Sequence, residues 1–323
     1  MAEAAGVSRT TVSFVLNDRP GAAISETTRQ RVLQAAATLG YVPSPEARAL
    51  KTGRSDIVLC LLPDWPITGP LGVLLKKLSA HLAEAGLTMF SHQRNAVDDL
   101  TQVLQSTTPA AVVAMCDLTP AEAAFAQQRG VHLVAWMGVI PGYPDEAGLR
   151  QSDVGRLQVS ALAGLGHERV AYVLPHDTDL AWFSDPRRDG ASERAAELGL
   201  AFEHVRLTDD VGSTTGLVDG LTTSGTTGVC AYNDEVAFSV VKAAQRLGRE
   251  VPRDLSVVGV DDSVIGRLSE PSITTVSFEL AHEAENLAAL LAVGRNLPAR
   301  SSARPAEVIR LVPRASTAPP GRA

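Results

Sequence analysis

The chain has 323 residues, 45% of them hydrophobic, and a formal net charge of −7. That length suggests two or three domains with real apolar cores, and no apolar run approaches the ~18 residues of a membrane span. The N-terminus lacks the basic and apolar regions of a secretory signal, and Cys60, Cys116 and Cys230 lack metal-ligand spacing; buried thiols in a reducing cytoplasm are the expectation.

The charge is divided unevenly. Residues 1–55 hold seven Lys/Arg against four Asp/Glu, a balance of +3, which leaves 22 basic against 32 acidic residues, or −10, in the remainder. A small basic head on an acidic body suits a DNA reader joined to a separate sensing module.

The run from Ala2 to Asn17 spells a helix-turn-helix. Gly6 supplies the tight turn, Ser8 is a good N-cap, and Val7 and Val12 fall at the N′ and N4 positions of a hydrophobic staple. Val12, Val15 and Leu16 share one apolar face of the second helix, while Arg9, Thr10, Ser13 and Asn17 lie off it, as in a helix presented end-on to a major groove. An ordinary amphipathic helical hairpin is the plainer alternative. A third helix is predicted after Ser25, with Val32, Leu33, Ala36 and Leu39 as its apolar stripe and Gly40 closing it.

Next comes Ser44-Pro45-Glu46-Ala47-Arg48-Ala49-Leu50-Lys51-Thr52-Gly53. Ser at N-cap, Pro at N1 and Gly past the end predict one to two helical turns, too short to be stable alone. Such a segment is expected to fold against a second copy over DNA, with Leu50 wedged between base steps from the minor groove. A plain linker is the alternative.

The head, AGVSRTTVSFVLN followed by SETTRQRVLQAAATLGYVP and EARALKTGRS, resembles the LacI family of bacterial transcription regulators. The resemblance implies base readout by Arg9 and Thr10. It implies phosphate or backbone contacts by Thr11, Ser13 and Asn17, places Ser8 among the DNA-binding residues, and implies minor-groove contacts by Ala47, Arg48 and Leu50. Phe14 stands where many members carry Arg. Members also have about half a dozen residues before the position of Ala2, so an upstream start codon is the expectation.

From residue 56 the sequence alternates between strands and helices. Strands are predicted at 57–62, 87–91, 110–116, 131–136, 169–174, 201–207, 227–232 and 255–260. Helices are predicted at 71–85, 119–129, 153–165, 188–198, 234–247 and 279–292. This pattern implies parallel sheets covered on both faces, as two doubly wound halves or, alternatively, a TIM barrel. The resemblance selects the first through LLPDW (61–65), Gly155, LGHERVAYV (165–173), YND (232–234), VPRDLSVVGVDD (251–262), EPSITTV (270–276) and LVPRAST (311–317).

The expected fold class is therefore multidomain. A small all-α helix-turn-helix head (1–43) and hinge (44–55) precede an α/β two-lobed core like a type I periplasmic binding protein. The near lobe takes 56–149 plus 278–304, the far lobe 150–277 plus 305–315. The tail from 316 to 323, rich in Pro, is predicted to be disordered.

The resemblance further implies an effector cleft lined by Asp64, Trp65, Trp136, Arg150, Arg187, Asn233 and Asp261. Each has a plainer reading: Asp261 and Asp262 as turn caps, Arg187 as a surface ion pair, the tryptophans as core. Arg150 stands where relatives often carry Asp, which would favour an anionic effector if its side chain entered the cleft. Implied partners are operator DNA, a carbohydrate or related metabolite, and a second copy of the chain in a homodimer. Whether two dimers join stays open. No membrane, metal or cofactor is implied, and the expected location is the cytoplasm, at the nucleoid. A pure solute-binding protein is a rival, though the head argues against it. An enzyme is another, but no nucleophile elbow, P-loop or glycine fingerprint is present. His167 is read as structural.

Overall fold

The computed structural model describes residues 1–16, 24–41, 55–64, 67, 69–95, 100–136, 139–143, 150–293 and 309–321. The hinge predicted at 44–53 lies outside them, as do Asn17, Ala47, Arg48, Leu50 and Trp65.

The head forms around α1 (Arg9–Leu16) and α2 (Glu26–Thr38). Before α1, one helical turn closes with Ala5 N–H donating to Met1 O at 2.9 Å and Val7 N–H to Ala2 O at 3.0 Å. Gly6 follows at φ 62°, left-handed backbone that glycine adopts without steric cost. Ala5, Val12, Val15, Val32 and Ala35 form the small core, flanked by Met1, Ala2, Val7, Leu16 and Ile24. One expectation fails here. The buried stripe of α2 is Val32, Ala35 and Ala36, whereas Leu33 and Leu39 are exposed. The α1 helix and the first turn meet α2 only along the i, i+3, i+4 row that starts at Val32.

The core contains two sheets. The first has order β2-β1-β3-β4, all parallel, from β1 (Ile57–Leu62), β2 (Thr88–Gln93), β3 (Ala111–Ala114) and β4 (His132–Ala135). Its helices are α3 (Gly69–Glu84), α4 (Leu100–Thr107) and α5 (Pro120–Gln128). The α5 start is fixed by a capping box between Thr119 and Glu122, with Pro120 in the first turn. Such strands, buried on both faces, read as unbroken apolar runs, and β1 (IVLCLL) is one.

The second sheet has order β10-β9-β8-β7-β5-β6. Its strands are β5 (Arg169–Leu174), β6 (Ala201–Arg206), β7 (Gly228–Ala231), β8 (Ser256–Val260), β9 (Thr274–Phe278) and β10 (Ile309–Val312). All pairs are parallel except β9 with β10. Around it lie α6 (Gln151–Gly164), α7 (Ala181–Glu197), α8 (Val211–Thr223), α9 (Asp234–Arg246) and the short α10 (Val264–Leu268). Helix α11 (Leu280–Val293) returns to the first sheet, where Ala284, Leu287, Ala288 and Leu291 join the core of α3 and β1. The two-sheet doubly wound architecture is the expected class.

Helices α6 and α7 meet backbone to backbone. A Cβ added at Gly155 would lie 1.9 Å from the Arg187 carbonyl oxygen, and one at Gly190 would lie 2.1 Å from that of Ser152. Only glycine fits at either position, because no side chain separates the two main chains there.

The predicted disordered tail is a further correction. Residues 316–321 are packed on the second sheet. Ser316 is fully buried, accepts from Thr274 N–H at 2.8 Å and donates to Val257 O at 2.6 Å. Val257 N–H in turn donates to Ser316 O at 2.8 Å. His167 donates from Nε2 to Ala318 O at 3.1 Å, so its Nδ1 accepts from the Thr227 hydroxyl at 2.9 Å. Burial holds this imidazole below its ordinary pKa, and it acts as a neutral brace. The proline content misled the sequence reading because the segment is held by main-chain and hydroxyl bonds, not apolar burial.

Ser316→Ala is expected to leave the buried Thr274 amide without its acceptor and cost about 1–3 kcal/mol. Urea unfolding of wild type and variant measures it, with an unchanged slope and a lower midpoint as the expected result.

Candidate functional site

In the head, Ser8 caps α1 by accepting from Thr11 N–H at 3.0 Å, and its hydroxyl lies 2.9 Å from that of Thr11. Arg9 and Thr10, one residue further along, are exposed at the helix N-terminus, and Ser13 is half-buried. Helix α1 therefore presents Arg9 and Thr10 to solvent from an end whose free amides favour an anion such as a phosphate.

In the second lobe, the ends of β7, β8 and β9, the first turn of α6 and the first two turns of α7 bring a cluster of polar groups together. Arg187, on α7, is buried. Its Nε donates to Gln151 Oε1 at 2.8 Å and its Nη1 to Tyr232 O at 2.8 Å. The guanidinium lies 4.8 Å from the Tyr232 ring centroid, 5.9 Å from that of Phe278 and 6.0 Å from that of Phe183. A buried cation needs such partners, and the ring faces add attraction in a partly desolvated setting. Its Nη2 has no hydrogen-bond partner among the described residues.

Asp261 directly follows β8 with φ 100° and is half-buried. Burial pushes its carboxyl up to about 6, Asp234 and Glu235 add to the rise, and the neighbouring Arg187 opposes it. No hydrogen bond to its carboxylate exists among the described residues. Asn233 caps α9, its Oδ1 accepting from Val236 N–H at 2.9 Å, which leaves its amide free to donate.

Asp234 is the fully buried strut beneath them. It accepts from Ser263 N–H and from the Thr275 hydroxyl, both at 2.7 Å. Side chains at Gly259 and Gly266 would collide with this carboxylate, at 2.2 and 2.6 Å.

The remaining sequence-predicted residues scatter. Asp64 is exposed just after β1. Arg150 is exposed at the start of α6, and the partner of Arg187 is its neighbour Gln151. Trp136 is not a stacking surface: it is 4% exposed, packed in the first-lobe core, with its Nε1 donating to Glu283 Oε1 at 2.5 Å. A large aromatic at a strand end satisfies core and ligand patterns equally, and here the acceptor on α11 draws the ring inward. Sequence reasoning missed Gln151, Tyr232, Phe183 and Phe278. An aromatic in YND and another closing β9 were the available signals.

The cluster thus offers a cation and a carboxylate side by side, both short of hydrogen-bond partners, beside an amide donor and three rings. That set suits a neutral molecule bearing several hydroxyls, each able to accept from Arg187 or Asn233 and donate to Asp261.

A two-lobed ligand-binding core carrying a helix-turn-helix head defines a ligand-responsive DNA-binding regulator. Residues 1–44 match the profile of bacterial regulatory proteins of the lacI family, and residues 159–317 match that of periplasmic binding protein-like domains. The chain is 30% identical over 296 residues, 85% of its own length and 81% of the relative's, to an uncharacterised helix-turn-helix transcriptional regulator in the aml 5′ region of Streptomyces limosus. It is 29% identical over 306 residues, 88% and 86% of the two lengths, to the helix-turn-helix transcriptional regulator GalS of Salmonella typhimurium. Among solved structures, the Lac repressor dimer bound to operator and the anti-inducer ONPF superposes with a TM-score of 0.74 at 20% identity, covering 98% of this chain and 97% of that one. The complex of the transcriptional regulator CelR with cellobiose gives 0.64 at 23% identity, covering 98% of each. The chain belongs to the LacI family of helix-turn-helix transcription regulators. These homologues are regulators, not enzymes.

Because the folded-state pKa of Asp261 is raised, the native state binds this proton more tightly than the unfolded chain does, and stability falls as pH rises from about 4 to 6. Asp261→Asn removes that penalty. The variant is expected to exceed wild type in thermal stability, and by a wider margin at pH 8 than at pH 5, in melts at both pH values.

Proposed function

We propose that this regulator is a repressor that binds a pseudo-palindromic operator as a homodimer and is released or recruited by a neutral carbohydrate in its second-lobe cluster. The observation that carries the reading is the proximity of Arg187 to the half-buried Asp261, whose carboxylate has no hydrogen bond among the described residues, on the same chain as a helix-turn-helix head. An isologous dimer places two heads on two-fold related half-sites, so the operator mirrors the symmetry of the protein. Solved relatives with this fold hold cellobiose or ribose, which supports a sugar as the effector class here.

In this reading Arg9 and Thr10 contact base edges, while Ser8, Thr11, Ser13 and Asn17 hold the backbone of the duplex. The Ser8–Thr11 hydroxyl pair then orients the α1 N-terminus toward a phosphate. Ala47, Arg48 and Leu50 act in the minor groove between the two copies. Sugar binding shifts the balance between two arrangements of the core only to the extent that it favours one of them. The work site is the nucleoid.

The exposed position of Arg150 and the proximity of Asp261 to Arg187 favour a neutral effector over an anionic one. A thermal-shift series with cellobiose, D-ribose, a sugar phosphate and a dicarboxylic acid separates the two. A neutral sugar is expected to raise the melting temperature; a response to the anions alone contradicts the reading. For the head, Arg9→Ala is expected to relax base preference at one half-site position by about 1–3 kcal/mol, in retardation assays on DNA from upstream of its own gene. Unaltered preference would show that Arg9 does not read bases.

A further inference from the structure

The chain segment after β10 lies beside the turn that carries Asp261. Asp261 and Asp262 are consecutive non-glycine residues with φ 100° and 50°, backbone that L side chains keep only where the surroundings hold it. Main-chain contacts hold part of the turn: Asp261 N–H donates to Val276 O at 2.8 Å, Asp262 N–H to the Thr275 hydroxyl at 3.3 Å, and Ser263 N–H to Asp234 at 2.7 Å.

The Asp262 carboxylate is gripped by two cations. Arg267 is 48% exposed; its Nη1 donates to the Asp262 main-chain O at 2.7 Å and lies 3.5 Å from Oδ1, so solvent weakens its contact with the carboxylate. Arg314, on the C-terminal segment, is only 15% exposed and donates from Nη2 to the same oxygen. Its other arm is fixed too, with Nη1 donating to Ile273 O at 2.9 Å and its own N–H donating to the Thr274 hydroxyl at 2.9 Å. Ser316, two residues on, pins the segment to β8 and β9. A planar fork held at both arms is a rigid clamp, which a lysine cannot reproduce.

We propose that Arg314 is a positioning residue for the effector site: by clamping Asp262 it holds the left-handed turn that keeps the Asp261 carboxylate beside Arg187. The inference rests on the reading of Asp261 as an effector contact, and it extends that site to the chain segment after β10. Arg314 touches no effector itself. Its influence passes through one ion pair and two backbone dihedral angles.

The test uses full-length protein with labelled aspartate carboxyl carbons, followed by NMR titration without sugar. Asp261→Asn identifies the Asp261 signal. The groups facing Asp261 are Arg187 on α7 and Asp234 and Glu235 on α9, and all stay unchanged in the variants compared. These are wild type, Arg314→Ala, Arg314→Lys, Asp262→Gly and the Arg314→Ala, Asp262→Gly double variant.

In Arg314→Ala the Asp261 midpoint is expected to fall from about 6 toward the ordinary aspartate value by about half a pH unit or more. Arg314→Lys should move it less, and it serves as the reading if Arg314→Ala does not fold. In the Asp262→Gly background, where glycine adopts the turn unaided and no carboxylate remains to clamp, Arg314→Ala should add no further movement. An unmoved midpoint in Arg314→Ala, or an equal movement in both backgrounds, overturns the proposal.

A second arm titrates cellobiose by calorimetry: where wild type binds it, Arg314→Ala should bind it several-fold more weakly while retaining its grip on DNA. Lack of cellobiose binding by wild type would count against the choice of sugar, while the carboxyl titration still decides the role of Arg314.

Discussion

The close approach of α6 and α7 at Gly155 and Gly190 is the constraint on which the site depends. Gln151 lies one helical turn before Gly155, and Arg187 lies nearly one turn before Gly190. Once the two main chains touch, these side chains have little choice but to meet, and the Gln151–Arg187 bond follows. Any Cβ at the crossing would separate the helices and draw Arg187 away from Tyr232 and Asp261. Interiors are packed too tightly for such a displacement to be absorbed locally.

Around that crossing the lobe keeps three charged groups from full solvation and satisfies them unequally. Asp234 is fully buried but bonded, and it serves as a strut. Arg187 is buried, bonded twice, and boxed by aromatic rings. Asp261 has the charge of Arg187 nearby but no bonded partner among the described residues, which is why burial raises its pKa. A polar group left wanting is costly in the core and useful at a binding surface, since a ligand hydroxyl supplies what the fold withholds.

The sequence showed the strands well because parallel strands buried on both faces are unbroken apolar runs; 57–62 and 169–174 coincide with β1 and β5. It did not show α8, whose VGSTTGLVDGLTT carries three glycines and little apolar periodicity. It also missed β9 and β10, short segments that pair with each other only across a long stretch of chain. The tail failed for a related reason: composition reports apolar content, whereas Ser316 and Ala318 are held by specific bonds to residues ~60 or more positions away. Within the site, Arg187, Asn233 and Asp261 sit in motifs that can be read along the chain. Gln151 and Arg314 act through contacts that only the folded chain creates, and Trp136 satisfied two patterns of which packing chose one.

Sensing and DNA reading meet in one chain only if occupancy of the second-lobe cluster changes the free energy of the head on its operator, and linkage makes that coupling reciprocal. The most direct measurement is retention of a DNA fragment from upstream of the gene, titrated with a sugar that stabilises wild type, for wild type and Gly155→Ala in parallel. The account predicts that both proteins retain the fragment alike in the absence of sugar. Wild-type retention should shift with sugar, while the variant, with Arg187 displaced, should require at least about tenfold more sugar, equivalent to about 1.4 kcal/mol. A folded Gly155→Ala protein that responds at the wild-type sugar concentration would contradict it.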